Sequence, residues 1–235
     1  MKQYRLLLLM IFSIAMLGVV SCSQKDYLVD EGVHDAHTSL NTYDYLKSNQ
    51  YHLFDSFLLV IDHYNLKSEL LNAKTVFAVT DYSIANYMRL KLVLLKQINE
   101  NKVYTMDSLY KDISADSVRQ YFFGEKLTLE DVPIEPEVHQ LESLGHTSCG
   151  VSKRQWTVAE LNADVGLPTW TNSPPYGLYY TFVRGALDVP GVNPPPSEAD
   201  TKIVCQTQGI LPKSDKGTYD QVLHVLANTH TFVRF

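Results

Sequence analysis

The apolar run from Leu6 to Val20 is the feature that most limits what this chain can become. It lies at the N-terminus behind two basic residues, Lys2 and Arg5. Its 15 residues fall short of the roughly 20 that a spanning helix needs and match the apolar centre of an export signal. No second run of that kind follows. With residues 1–21 set aside, the remaining 214 of 235 positions are therefore predicted to fold in water, as one domain with large loops or one domain with a small appendage. A hydrophobic content of 45% and an aromatic content of 11% supply a real core and exclude wholesale disorder. The same 214 positions hold 18 Lys+Arg against 26 Asp+Glu, a formal charge of −8. Such a balance excludes an electrostatic footprint for nucleic acid and argues against adhesion to an anionic membrane through net charge.

The run ends in Val19-Val20-Ser21-Cys22, which resembles the lipobox pattern of apolar, apolar, small, cysteine. A peptidase cutting before Cys22 would leave its thiol for acylation, with residues 1–21 removed as a lipoprotein signal peptide. A plain secretory signal or a short anchor are the alternatives. Several acyl chains on Cys22 would meet the requirement for more than one lipid chain in stable anchoring. Residues 22–40 are polar and acidic, with Asp26, Asp30, Glu31 and Asp35 and no helical or strand period, and read as a tether. The other cysteines, Cys149 and Cys205, would sit in an oxidising compartment. They are either a disulfide or two separate thiols.

From residue 41 the pattern is helical. Asn41 or Thr42 can cap a helix starting at Tyr43. Leu53, Phe54, Phe57, Leu58 and Ile61 make one helical face, and Leu66, Leu70 and Leu71 a further short helix. Lys74–Thr80 switches to a β-type run and stops at Thr80-Asp81, where either residue can cap a helix marked by Ile84, Tyr87, Met88, Leu92 and Leu95. Ser114 opens another helix that Gly124 ends. Lys126–Val132 could hold a short strand and turn. Residues 133–175 lack a clean period and read as an elaborated loop region carrying short strands, one of them at Gln155–Val158. Leu178–Val183, Lys202–Gln206, Gln221–Leu226 and Thr231–Phe235 read as closing strands. Helices first and strands later predict an α+β class.

Thr75-Val76-Phe77-Ala78-Val79-Thr80-Asp81 resembles the first signature of fasciclin domains, with Val79 in place of the usual proline, and Val222-Leu223-His224-Val225-Leu226 resembles the second. The resemblance covers roughly residues 40–235 and implies a single fasciclin-like domain over 41–235, with N-terminal helices packed on a mostly antiparallel sheet or wedge. Phe77, Thr80, Asp81 and His224 are then structural signature residues: a strand, a helix cap and a hydrogen-bonded core histidine. Asn228-Thr229-His230-Thr231-Phe232 and the acidic tether look like fasciclin-type lipoproteins of Gram-negative bacteria. Several of those accompany outer-membrane polysaccharide-uptake systems. The family's adhesion-linked Tyr-His pair is Tyr121-Phe122 here, so integrin-type adhesion does not carry over.

Catalytic signatures are missing. There is no Gly-x-Ser-x-Gly, His-Glu-x-x-His, Walker loop, Gly-x-Gly-x-x-Gly or Cys-x-x-Cys. Nothing selects a carboxylate pair from the many present, and neither His34/His37 nor His224/His230 has the companions of a metal site. The reading is a non-enzyme without cofactor or metal. Trp156, Trp170, Tyr176, Tyr179 and Tyr180 cluster in the elaborated loop region and its exit, and Trp156, Trp170 and Tyr176 are taken as a candidate binding platform, against the alternative that these rings anchor the loop region. The sequence thus predicts a lipid-anchored outer-membrane protein facing the cell surface. It would contact other envelope proteins, with direct glycan binding as the alternative and hydrolysis as a third.

Overall fold

Asn41 caps the first helix, α1 (Thr42–Lys47), by accepting the Asp44 N–H at 2.9 Å. In the computed structural model, which describes residues 35–157 and 175–233, everything from Ala36 onward belongs to one unit. The three- and four-residue apolar spacing does form α2 (Asp55–His63), which buries Phe57, Leu58, Val60 and Ile61. Next come α3 (Lys67–Asn72) and α4 (Asp81–Ile98). An unanticipated helix, α5 (Met106–Asp112), starts at a Thr105/Ser108 capping box and buries Leu109. Ser114 caps α6 (Ala115–Arg119) through the Ser117 N–H at 3.2 Å.

The strands are β1 (His37–Thr38), β2 (Thr75–Ala78), β3 (Phe122–Phe123), β4 (His139–Glu142), β5 (Ser148–Gln155), β6 (Tyr176–Phe182), β7 (Thr201–Pro212) and β8 (Val222–Leu226). They lie in the order β3-β2-β8-β7-β6-β5-β4, with β1 alongside β7. The β2–β8 and β1–β7 pairs are parallel and the other named pairs antiparallel. One backbone bond, Leu144 N–H to Phe122 O at 2.8 Å, ties the β4 end to the β3 end. The class is mixed α and β, with a mostly antiparallel, nearly closed sheet. Phe77, Phe123, Tyr121, Tyr180 and Phe232 fill it, all fully buried, with ring centroids 5.1–6.4 Å apart for Phe77–Tyr180, Phe77–Phe123, Tyr121–Tyr180 and Tyr121–Phe232. Each such ring contributes about 1.5–3 kcal/mol of transfer free energy.

Several expectations are refined. The tether does not run to residue 40: the Leu211 N–H donates to Ala36 O at 2.8 Å, the Lys213 N–H donates to Leu40 O at 2.9 Å, and the His37 ring meets Tyr219 edge-on at 4.6 Å. Within 133–175 the strands are longer than expected and earlier than Gln155–Val158: residues 139–155 form a β-hairpin. Ser143 Oγ accepts from the Gly145 and Thr147 N–H groups at its turn, where His146 has φ +57°. Lys126–Val132 is a turn built on Asp131, which accepts from Thr128, and Thr231–Val233 is a turn that drops Phe232 onto Tyr121. Cys149 and Cys205 are separate buried thiols. They lie on β5 and β7 with β6 between, a spacing of about 9.6 Å at 4.8 Å per strand, beyond the roughly 7 Å reach of a disulfide.

Candidate functional site

The strand-to-helix junction is built from tertiary contacts. β2 is buried along its length and leads into α4 through Val79 and Thr80. Neither expected cap serves α4. Thr80 Oγ1 donates to Asn228 Oδ1 at 2.8 Å. Asp81 Oδ1 instead accepts the Ser56 N–H at 2.9 Å, capping α2, while the Asp81 N–H returns to Leu53 O at 2.8 Å. Burial pushes the Asp81 carboxyl above its ordinary pKa, against the opposing pull of Ser56 and Phe57.

Phe77 and His224 face each other in the parallel β2–β8 register, with ring centroids 5.1 Å apart at 28°. His224 Nδ1 accepts the Gly209 N–H at 3.1 Å, so the imidazole is neutral and its Nε2–H donates to Leu127 O at 2.9 Å. Gly209 reaches it from a β7 bulge at φ +77°, a conformation that favours glycine. Burial pulls the His224 pKa down to about 4. His230 is likewise buried, with its pKa pulled down to about 3. The Tyr121 hydroxyl accepts the Val233 N–H at 2.9 Å and donates to His230 Nε2 at 2.7 Å. Both imidazoles are occupied by scaffold partners and act as buried linkers, which is the role expected of His224 and one that the sequence did not assign to His230.

The thiols follow the same logic. Cys149 Sγ lies 3.0 Å from Tyr180 Oη, and burial pushes its pKa up to about 11. Burial also pushes Cys205 far up. Among the described residues no group of three or more His, Cys, Asp or Glu could hold a metal ion.

The aromatic candidates separate. Trp170 lies outside the described residues, as does Cys22. Alternation along the strand puts Tyr176 on the face of Leu178 and Tyr180, whereas Trp156 lies across Gly177 on the other. A Cβ at Gly177 would fall 1.8 Å from the indole nitrogen, which is buried without an acceptor. On Trp156's face the register aligns Ser152, Tyr179 and Val204 beside Arg154 and Lys202. Arg154 Nη2 donates to Tyr179 Oη at 2.8 Å, and the Lys202 Nζ stands 5.9 Å from the same ring. Glu135 Oε1 accepts from Lys202 at 3.0 Å and Ser152 at 3.2 Å. Tyr179, one of the aromatics clustered here in the sequence, is thus the centre of a cation-flanked strip suited to hydroxyl-rich or anionic ligands.

A cleft of about 480 Å³ runs between α3 and the β7–β8 connection, lined by Lys67, Lys74, Asp215, Asp220 and Gln221. Its charges are engaged: Lys74 pairs with Asp220 at 2.5 Å, and Lys67 sits 3.8 Å over the Tyr43 ring. Gln221 donates to Leu70 O and Ala73 O at 2.7 Å each and accepts from Thr42 Oγ1.

Among the described residues no helix is long and apolar enough to cross a membrane. No family model matches the chain, and neither a curated protein nor a solved structure does.

Proposed function

We propose that this chain is a lipid-anchored cell-envelope binding module. It would be a fasciclin-like domain held to the outer membrane through acylated Cys22. Its task would be contact with other envelope proteins, as an accessory of a polysaccharide-uptake assembly. One observation carries the reading. The two signature-like segments, far apart in sequence, are neighbouring parallel strands, with Phe77 stacked on His224. Their distinctive side chains are consumed by the scaffold, and so are the buried thiols and His230. Such a body offers surfaces to partners and keeps these two imidazoles and two thiols away from them.

The test is purification from membranes in mild detergent. The chain should carry acyl mass on Cys22 and bring envelope proteins with it. Recovery as an unacylated protein without companions overturns the proposal. Direct glycan recognition is the second reading, favoured by the Arg154–Tyr179–Lys202 strip. Glycan binding that Tyr179→Ala leaves unchanged removes that strip as the site.

A further inference from the structure

Helix α4 buries Ser83, Ile84 and Tyr87, and no residue beyond Tyr87. Yet Met88–Ile98 is its more apolar half, with Leu90, Leu92, Val93, Leu94, Leu95 and Ile98 distributed around the axis. A helix that is apolar on all sides is ordinarily covered on all sides. Here Val93 is 52% exposed, Leu94 47%, Ile98 84% and, just past the helix, Val103 74%. Leu94, Leu95 and Ile98 continue the line of Ile84 and Tyr87. With Tyr104 they wall an open cleft of about 460 Å³ beside α5, spanned by the Lys91–Asp112 ion pair at 3.0 Å.

The local charge runs against that of the whole chain. Residues 89–102 hold Arg89, Lys91, Lys96 and Lys102 against Glu100 alone, a formal +3 within a chain of −6. Exposed apolar side chains rimmed by cations are the composition of an interfacial helix on anionic lipid. A second copy is a poorer occupant. The 11 residues Met88–Ile98 measure about 16 Å, too short to supply the roughly 800 Å² per partner of a stable protein interface.

We propose that the C-terminal half of α4 and the turn after it, through Val103, rest in the interfacial layer of an anionic bilayer. Leu94, Ile98 and Val103 would enter the acyl boundary, with Arg89, Lys96 and Lys102 at the headgroups. This deepens the anchored-module reading and rests on it for the geometry of approach. The 14 residue steps from Cys22 to Ala36 span at most about 48 Å. A 200-residue body has a radius of gyration of about 16 Å, so the span is long enough to let this face turn to the membrane.

The experiment uses the mature chain from residue 22 with Cys22→Ser, which carries no acyl group. It is sedimented with vesicles of phosphatidylglycerol and phosphatidylcholine in equal parts, and with phosphatidylcholine alone. Binding to the anionic vesicles should weaken with added salt and should fall by at least ~tenfold in the Leu94→Ser/Ile98→Ser double variant. Lys96→Gln/Lys102→Gln should flatten the salt dependence. An unchanged urea midpoint in both double variants guards against misfolding. The proposal is overturned if the parent protein ignores the anionic vesicles, or if Leu94→Ser/Ile98→Ser binds them equally. It is also overturned if the parent is a dimer in solution that this variant makes monomeric, because the second copy is then the occupant. Acyl mass and companion proteins from native membranes test the anchor separately.

Discussion

Acidification should destabilise this fold well before its carboxylates titrate. His224 and His230 are buried and neutral, with pKa values of about 4 and about 3 against an ordinary 6.5. For a base whose folded pKa is depressed, the unfolded chain takes up protons first, so stability rises with pH. The contribution is complete above pH about 6.5. It is lost as pH falls toward 4 for His224 and toward 3 for His230. At pH 5 each unfolded imidazole gains about 2 kcal/mol, from 1.5 pH units at 1.36 kcal/mol. Together they should remove about 4 kcal/mol between pH 8 and pH 5, a large share of the 5–15 kcal/mol typical of a domain. Glu69, Asp112, Asp131 and Asp220, whose pKa values are lowered by their partners, lose their contributions below pH about 4.5, outside this window. Urea unfolding at the two pH values gives the difference. His224→Gln should halve it, whatever that variant costs at pH 8, and His230→Gln should do the same. A parent whose stability is equal at pH 8 and pH 5 within about 0.5 kcal/mol would refute the reasoning. So would a His224→Gln protein that keeps the full difference.

Two further outcomes are expected. Asp81→Ala should cost about 1–2 kcal/mol and speed amide exchange at the start of α2, because Asp81 caps Ser56 there; faster exchange confined to α4 would show that the cap serves its own helix. Cys149 and Cys205 should resist iodoacetamide in the native protein and both react in urea without reductant; a bridge that persists in urea until reductant is added would contradict the strand placement.

What could be read from the sequence was local. The α2 face, the β-branched β2 run, the Ser114 cap and the apolar β8 segment each carry their signal within a few residues. The hairpin of β4 and β5 was hidden because Ser148–Gln155 offers only Cys149 and Val151 as inward apolar residues, interleaved with Gly150 and Ser152. The full length of β7 was hidden because bulges between Cys205, Thr207 and Ile210 break its alternation. Capping rules identified Thr80 and Asp81 as oxygens waiting for donors, but their partners are set by the tertiary fold: Thr80 meets Asn228 across 148 positions. The candidate site suffered most. Trp156 and Tyr176 look like companions in composition, but the pleat turns them apart. The Arg154–Tyr179 bond follows from a register that no single sequence displays.

The placement of β8 fixes when folding can finish. It is the last of the described strands along the chain, yet it lies between β2 and β7. A nascent chain that stops short of Val222 holds two half-sheets with open facing edges, each ready to accept a stray strand. The centre of the sheet can therefore close only after Val222–Leu226 has been made and freed. Removing Val222–Leu226 would leave β2 and β7 without the strand that joins them.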